Sequence, residues 1–145
     1  MQSSINLGLE IGRIDRIILR SIDAAVIAAI GDTITVRQAY VINLIASEGS
    51  FKPFYQKDLE KEFDVKRSSI SLMLDNMEKN ALIKRVLVEG DARLKKIELT
   101  NKALDLNEQI AQAIHSVESK LVKGIDEKDV ETCLTVLASI RKNLE

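Results

Sequence analysis

Apolar residues recur along this chain with two different periods, and the change from one to the other falls in its middle. Leu7, Ile11, Ile14, Ile18, Ile22, Ala25 and Ala29 follow one another at intervals of three and four. That spacing predicts a helix over Leu7–Ile30, ended by Gly31. Ile17, Val26 and Ile30 widen its apolar stripe beyond what one small domain would cover. Thr35-Val36-Arg37-Gln38 has the form of a capping box, with Thr35 as N-cap and Gln38 reaching back. It opens a helix to about Glu48 that is expected to bury Val36, Ala39, Tyr40, Ile42, Leu44 and Ala46.

Two shorter helices follow a loop over residues 49–53. The first, about Tyr55 to Phe63, buries Leu59 and Phe63 and breaks at Asp64. The second, about Lys66 to Asn80, turns Ile70, Leu74 and Met77, with Met73, inward. Its other face carries Arg67, Ser68, Ser71, Leu72 and Asp75, with Ser69, Asn76 and Lys79 beside it. After Leu82 the period drops to two. Ile83–Val88 and Leu94–Leu99 alternate and read as strands, joined by a tip over residues 89–93 that contains Gly90.

Thr100 then caps a helix of more than twenty residues with two apolar stripes. Leu104, Ala111, Ile114 and Leu121 form one; Leu106, Ile110, Ala113 and Val117 form the other. Gly124 is expected as its C-cap. Asp126 opens a last helix, where Asp129 suits the first-turn dipole. There Val130, Cys133, Leu134, Leu137, Ile140 and Leu144 make a seam of coiled-coil type. The predicted fold is mainly α with a small β-hairpin wing: a winged helix-turn-helix between long terminal helices. Residues 35–100 are expected to form one lobe, the DNA-binding one if the helix-turn-helix does its usual work. Residues 1–34 and 101–145 form dimerisation helices that meet a second copy by isologous two-fold contact.

Composition narrows the function classes. One proline and 30% charged residues in a chain of 145 suit a helical single domain. Aromatic residues reach only 3%, too few for a base-stacking platform. The net charge is −1, but it is unevenly placed: Lys52 to Lys96 holds eleven cations against eight acids, a local balance of +3. A single cysteine, Cys133, excludes an intrachain disulfide and a multi-thiolate metal site, and His115 is the single histidine. Cys133 reads as a buried structural thiol and His115 as an ordinary helix residue. No metal, no cofactor and no catalytic set is expected, so the chain reads as a non-enzyme. The N-terminal stretch lacks the basic region of a secretory signal, and no apolar run approaches the ~20 residues that span a bilayer. A cytoplasmic protein with no membrane partner is the expectation.

A helix-turn-helix followed at once by a charged hairpin lays its second helix in the DNA major groove and reaches the minor groove with the wing. Ser68, Ser69 and Ser71 are short enough to approach phosphates or base edges, although Ser68 could instead cap its helix. Arg67 suits phosphate or guanine, and Asn76 suits adenine. Arg93 suits a narrow minor groove, and Asp91 could orient Arg93 or pair with Arg85. Lys95 and Lys96 add salt-sensitive affinity, and Lys57 and Lys79 are further phosphate candidates. The opposing interpretation is a winged helix used as a protein-interaction module without DNA, which the acidic net charge and Leu72 favour.

The stretch from Val36 to Thr100 resembles the MarR family of dimeric winged-helix transcription regulators. The likeness rests on Arg85 after the second helix, Asp91-Ala92-Arg93 in the wing and Leu99-Thr100 before the next helix. PadR-like regulators share the architecture, but that spacing favours MarR. Ala81 and Ala103 stand where the family usually has glycine, and Leu72 where a polar or basic residue often faces DNA. The resemblance implies a ligand-responsive repressor, a homodimer with its reading helices about 34 Å apart on a pseudo-palindromic operator. It also implies an effector such as an aromatic or phenolic anion, bound where the dimerising helices meet the DNA-binding lobe.

Overall fold

The computed structural model describes residues 6–145; residues 1–5 of the predicted N-terminal unit lie outside the described residues. Six helices and two strands follow in order: α1 (Leu7–Ile30), α2 (Val36–Glu48), α3 (Gln56–Phe63), α4 (Arg67–Lys79), β1 (Ile83–Val88), β2 (Asp91–Leu99), α5 (Asn101–Leu121) and α6 (Glu127–Leu144). The core gathers α1, α2, α4 and α5 around the base of the hairpin, with Ile42, Leu59, Ile70, Leu74, Met77, Leu82 and Ile110 fully buried.

Local chemistry explains most boundaries. The Thr35 hydroxyl accepts from the Gln38 backbone N–H at 3.1 Å, and Gln38 Oε1 accepts from the Thr35 N–H at 3.1 Å, completing the capping box. Within α2 the buried apolar residues are Ala39, Val41, Ile42 and Ile45, while Val36, Tyr40, Leu44 and Ala46 are only half-buried. The inward face is therefore turned from the expected one, because α2 packs between α1 and α5 and not against a single neighbour. Of the two stripes on α5, the one through Ile110, Ala113 and Val117 is buried, while Leu104 and Leu121 stay exposed. Gly124 is not the cap of α5: the helix ends at Leu121 with Val122 as C-cap, and Gly124 turns the chain two residues later at φ 76°.

α4 ends in a Schellman motif built without glycine. The Ala81 N–H donates to Glu78 O at 3.0 Å, the Leu82 N–H donates to Met77 O at 2.9 Å, and Met77 and Leu82 are both buried. Ala81 therefore sits at φ 58°, in the left-handed region where its Cβ is penalised. This is the position at which the resembled family usually carries glycine. Thr100 locks the same corner: its hydroxyl donates to Ala81 O at 2.6 Å and accepts from the Ala103 N–H at 3.3 Å, which caps α5. Relief of the left-handed strain outweighs the added freedom of the unfolded chain, so Ala81→Gly is expected to stabilise by up to about 1 kcal/mol. A thermal melt would read this as a midpoint rise of roughly 2–4 °C; an unchanged or lower midpoint counts against the strain.

α6 differs from every other helix: none of its residues is buried. Leu134, Leu137 and Leu144 are exposed, and so is Cys133, which overturns the expectation of a buried thiol within this chain. α1 is similar toward its start, where Leu7, Leu9, Ile14 and Ile17 face outward and only Ile22 and Val26 are buried. Among the described residues no helix is long and apolar enough to cross a membrane.

Candidate nucleic-acid interface

The hairpin is fixed to the lobe by backbone bonds. The Ile97 N–H donates to Phe54 O at 2.8 Å, and Tyr55 bridges to Lys96, so the chain before α3 forms a third short edge beside β2. β1 and β2 pair antiparallel from Ile83↔Leu99 to Leu87↔Lys95; the next pair is Val88↔Asp91. Ala92, Arg93 and Leu94 are thus left without partners in a bulge on β2. The tip shrinks to Glu89 and Gly90, not the five residues expected from the sequence, and Arg93 lies on the bulge behind it. A bulge bends its strand and re-aims its side chains.

Asp91 holds this bulge. Its Oδ1 accepts from the Arg93 backbone N–H at 2.9 Å, so it orients Arg93 through the main chain. The Arg93 side chain is exposed and forms no ion pair among the described residues. Between the wing, α3 and α4 lies a cleft of about 270 Å³, lined by Lys57, Arg67, Arg85, Arg93 and Lys95 with a single acid, Glu60. Five cations around one acid concentrate the local positive balance in one place.

Arg85 does something other than the sequence suggested. It does not pair with Asp91 but turns back to the recognition helix α4. Its Nε donates to Glu78 Oε2 and its Nη2 to Glu78 Oε1, both at 3.2 Å; its backbone N–H also reaches Glu78 Oε2 at 3.2 Å. Nη2 further donates to Asp75 Oδ1. The guanidinium is only 21% exposed and fastens β1 to α4. The hydrogen bond from Arg85 holds the Glu78 carboxyl below the usual carboxylate range, against the opposing pull of its burial, with the Arg85 charge adding. The same bonds raise Arg85. Because the Glu78 pKa is depressed on folding, its contribution is present above an ordinary glutamate pKa of about 4.3 and is lost as pH falls through the folded value. A double-mutant cycle of Arg85→Ala and Glu78→Gln on thermal stability is expected to give a coupling of up to ~1 kcal/mol at neutral pH. That coupling should fade below pH ~4; coupling that persists there would point to packing instead of charge.

The α4 candidates separate into two groups. Ser68 and Ser69 are exposed, Ser71 is half-buried, and no hydroxyl of the three has a hydrogen-bond partner among the described residues. Ser68 does not cap the helix, because Lys66 is the N-cap and no side chain caps there. Arg67 opens the helix at the edge of the cationic cleft. Asn76 belongs elsewhere: its Oδ1 accepts from Gln38 Nε2 at 2.9 Å and from Asn80 Nδ2 at 3.0 Å. It ties α4 to α2, an occupation that competes with reading adenine. Nothing local in the sequence signals that bond, since Gln38 lies on another helix. Lys95 borders the cleft, whereas Lys96 pairs with Glu98 at 3.0 Å.

Helices α3 and α4, the hairpin and the buttressing α2 and α5 together make a winged helix-turn-helix with a cationic, hydroxyl-rich outer face. A model of the MarR family matches residues 32–94 of the chain. The transcription regulator MarR from Oenococcus oeni PSU-1 is 26% identical, with 94% of this chain and 99% of that one covered at a TM-score of 0.73. The MepR–DNA complex of Staphylococcus aureus is 22% identical over 91% of this chain and 94% of its own, with a TM-score of 0.77. CouR from Rhodococcus jostii RHA1, bound to p-coumaroyl-CoA, is 22% identical over 97% and 95%, also with a TM-score of 0.77.

Proposed function

We propose that this protein is a sequence-specific regulator of transcription that binds double-stranded DNA as a homodimer, as a repressor on a pseudo-palindromic operator. The observation that carries this reading is the cationic cleft at the junction of wing and recognition helix. It includes Arg67 at the start of α4, the helix whose Ser68, Ser69 and Ser71 hydroxyls have no hydrogen-bond partner among the described residues, an arrangement suited to phosphate oxygens and base edges. Arg67, Ser68, Ser69, Ser71, Arg93 and Lys95 are the DNA contacts in this reading, with Asp91 and Arg85 positioning the wing. MepR, of the same fold, has been seen bound to DNA.

Dimerisation is supported by the uncovered faces of α1 and α6. None of the 18 residues of α6 is buried among the described residues, and most helical stability comes from packing of an apolar face, which a second copy on its seam supplies. Ligand response is supported by CouR, of the same fold, with p-coumaroyl-CoA bound. In this chain an open cleft of about 680 Å³ lies between the α1–α2 loop, the end of α4 and the start of α5. Its wall carries one cation, Lys102, whose Nζ donates to Asn80 O at 3.1 Å and is the charge partner for an aromatic or phenolic anion, and one acid, Asp105. The Tyr40 hydroxyl and Asn107 Oδ1, on α2 and α5, are buried without a partner among the described residues and add polar capacity to the same set of helices. Burial, then Asp23 and Asp15, push the Tyr40 hydroxyl up to about 12, so it stays a neutral donor. Such a ligand would act by favouring one spacing of the two reading heads over another. A cytoplasmic location follows from the same reading.

The test is anisotropy titration of labelled duplexes at about 50 and about 200 mM salt, comparing a duplex enriched from a random-sequence pool with its scrambled form. Preference for the enriched duplex, with affinity falling steeply as salt rises, is the expected result. Absence of binding to both at low salt would refute the reading and direct attention to a protein partner.

A further inference from the structure

The recognition helix carries one apolar side chain where everything around it is polar. α4 buries Ile70, Leu74 and Met77. At 3.6 residues per turn Leu72 points away from that stripe, at the outermost line of the helix. It is 72% exposed, with Ser68, Ser69, Asp75 and Asn76 as its exposed neighbours one turn away. A single leucine within a polar surround is too small for a protein interface, which needs about 800 Å² from each partner. The cleft that holds Lys57, Arg67, Arg93 and Lys95 attracts a polyanion to the N-terminal end of this helix, where Arg67 stands. Asp75, the one acid beside Leu72, is held by Arg85 and so does not oppose that approach.

In a major groove the apolar feature available to such a side chain is the 5-methyl group of thymine. Resting on the DNA-binding reading above, we propose that Leu72 is a specificity-determining residue that packs on a thymine 5-methyl group. Each half-site would then carry an A·T pair beneath the middle of α4, with thymine on the strand that faces Leu72. Leucine neither donates nor accepts, so discrimination at that pair comes from the methyl group alone. Ser68, one turn toward the N-terminus on the same face, would read the neighbouring pair by hydrogen bonds.

The experiment uses the full-length protein and the enriched duplex, with each thymine replaced in turn by deoxyuridine, which removes only the methyl group. One position in each half-site is expected to weaken binding by about fourfold, the value of one buried methyl-sized group. That penalty should vanish in Leu72→Ala, an exposed helical position where alanine is well tolerated, and should survive in Ser68→Ala. Tight binding with no uridine-sensitive position would overturn the inference while leaving the DNA reading intact. A uridine penalty unchanged in Leu72→Ala would do the same. If the unmodified duplex fails to bind at low salt, the DNA reading falls and this inference with it.

Discussion

Replacing Leu134 and Leu137 of α6 together by glutamate is expected to split the dimer and lower DNA affinity by at least ~100-fold. Both side chains are exposed in the single chain, Leu134 at 62%, yet they lie on the apolar seam of a helix that buries none of its residues. Four carboxylates brought to a two-fold seam repel one another and lose their hydration, a cost that the remaining apolar contact does not offset. The lobe does not rely on α6 for its core, so circular dichroism should retain most of the helical signal of the parent. Sedimentation velocity reads the mass and anisotropy the affinity. A variant that stays dimeric would place the interface elsewhere, and a monomer with undiminished affinity would remove the need for two reading heads.

The second large effect is expected at Arg93. Arg93→Ala should weaken binding to the enriched duplex by roughly 10- to 100-fold and lower the slope of log affinity against log salt by about one. The bulge that carries Arg93 is held by Asp91 through a backbone bond, which the substitution leaves intact, so wing geometry should survive. Arg93→Lys separates charge from shape: it should restore the salt slope but only part of the affinity, because an ammonium lacks the planar fork of guanidinium. An unchanged slope in Arg93→Ala would mean that the arginine does not approach the DNA backbone. Arg85→Ala provides the contrast, since its guanidinium is already committed to Glu78 and Asp75 and should act mainly through wing position.

The three-residue connection between α4 and β1 illustrates how a local oddity in sequence gains meaning. Ala81 in place of the usual glycine was visible in the sequence, but only its φ of 58° shows that the helix stop was kept at a cost in strain. The hydroxyl of Thr100, reaching back to Ala81, gives the Leu99-Thr100 pair a structural reason beyond opening the next helix.

Periodicity and capping chemistry by themselves determined the elements of this protein. The capping box at Thr35, the inward stripe of Ile70, Leu74 and Met77, and the switch to alternation after Leu82 all depend on neighbours within a few residues. Backbone sterics and side-chain direction act at that range, so the sequence carries them openly. What lay in partnerships across the chain was decided by the tertiary structure. Asn76 is engaged by Gln38, 38 residues away, and Arg85 turns to α4 because packing of the hairpin brings Glu78 and Asp75 nearer than Asp91. The inward face of α2 was set by two neighbouring helices at once, which no single stripe encodes. Arg93 left the tip because three residues of β2 found no partner on β1, a matter of strand register that alternation alone does not specify. The exposed seam of α6 belongs to the same class: its apolar pattern is written in the chain, but only the fold shows that the other described residues leave it uncovered.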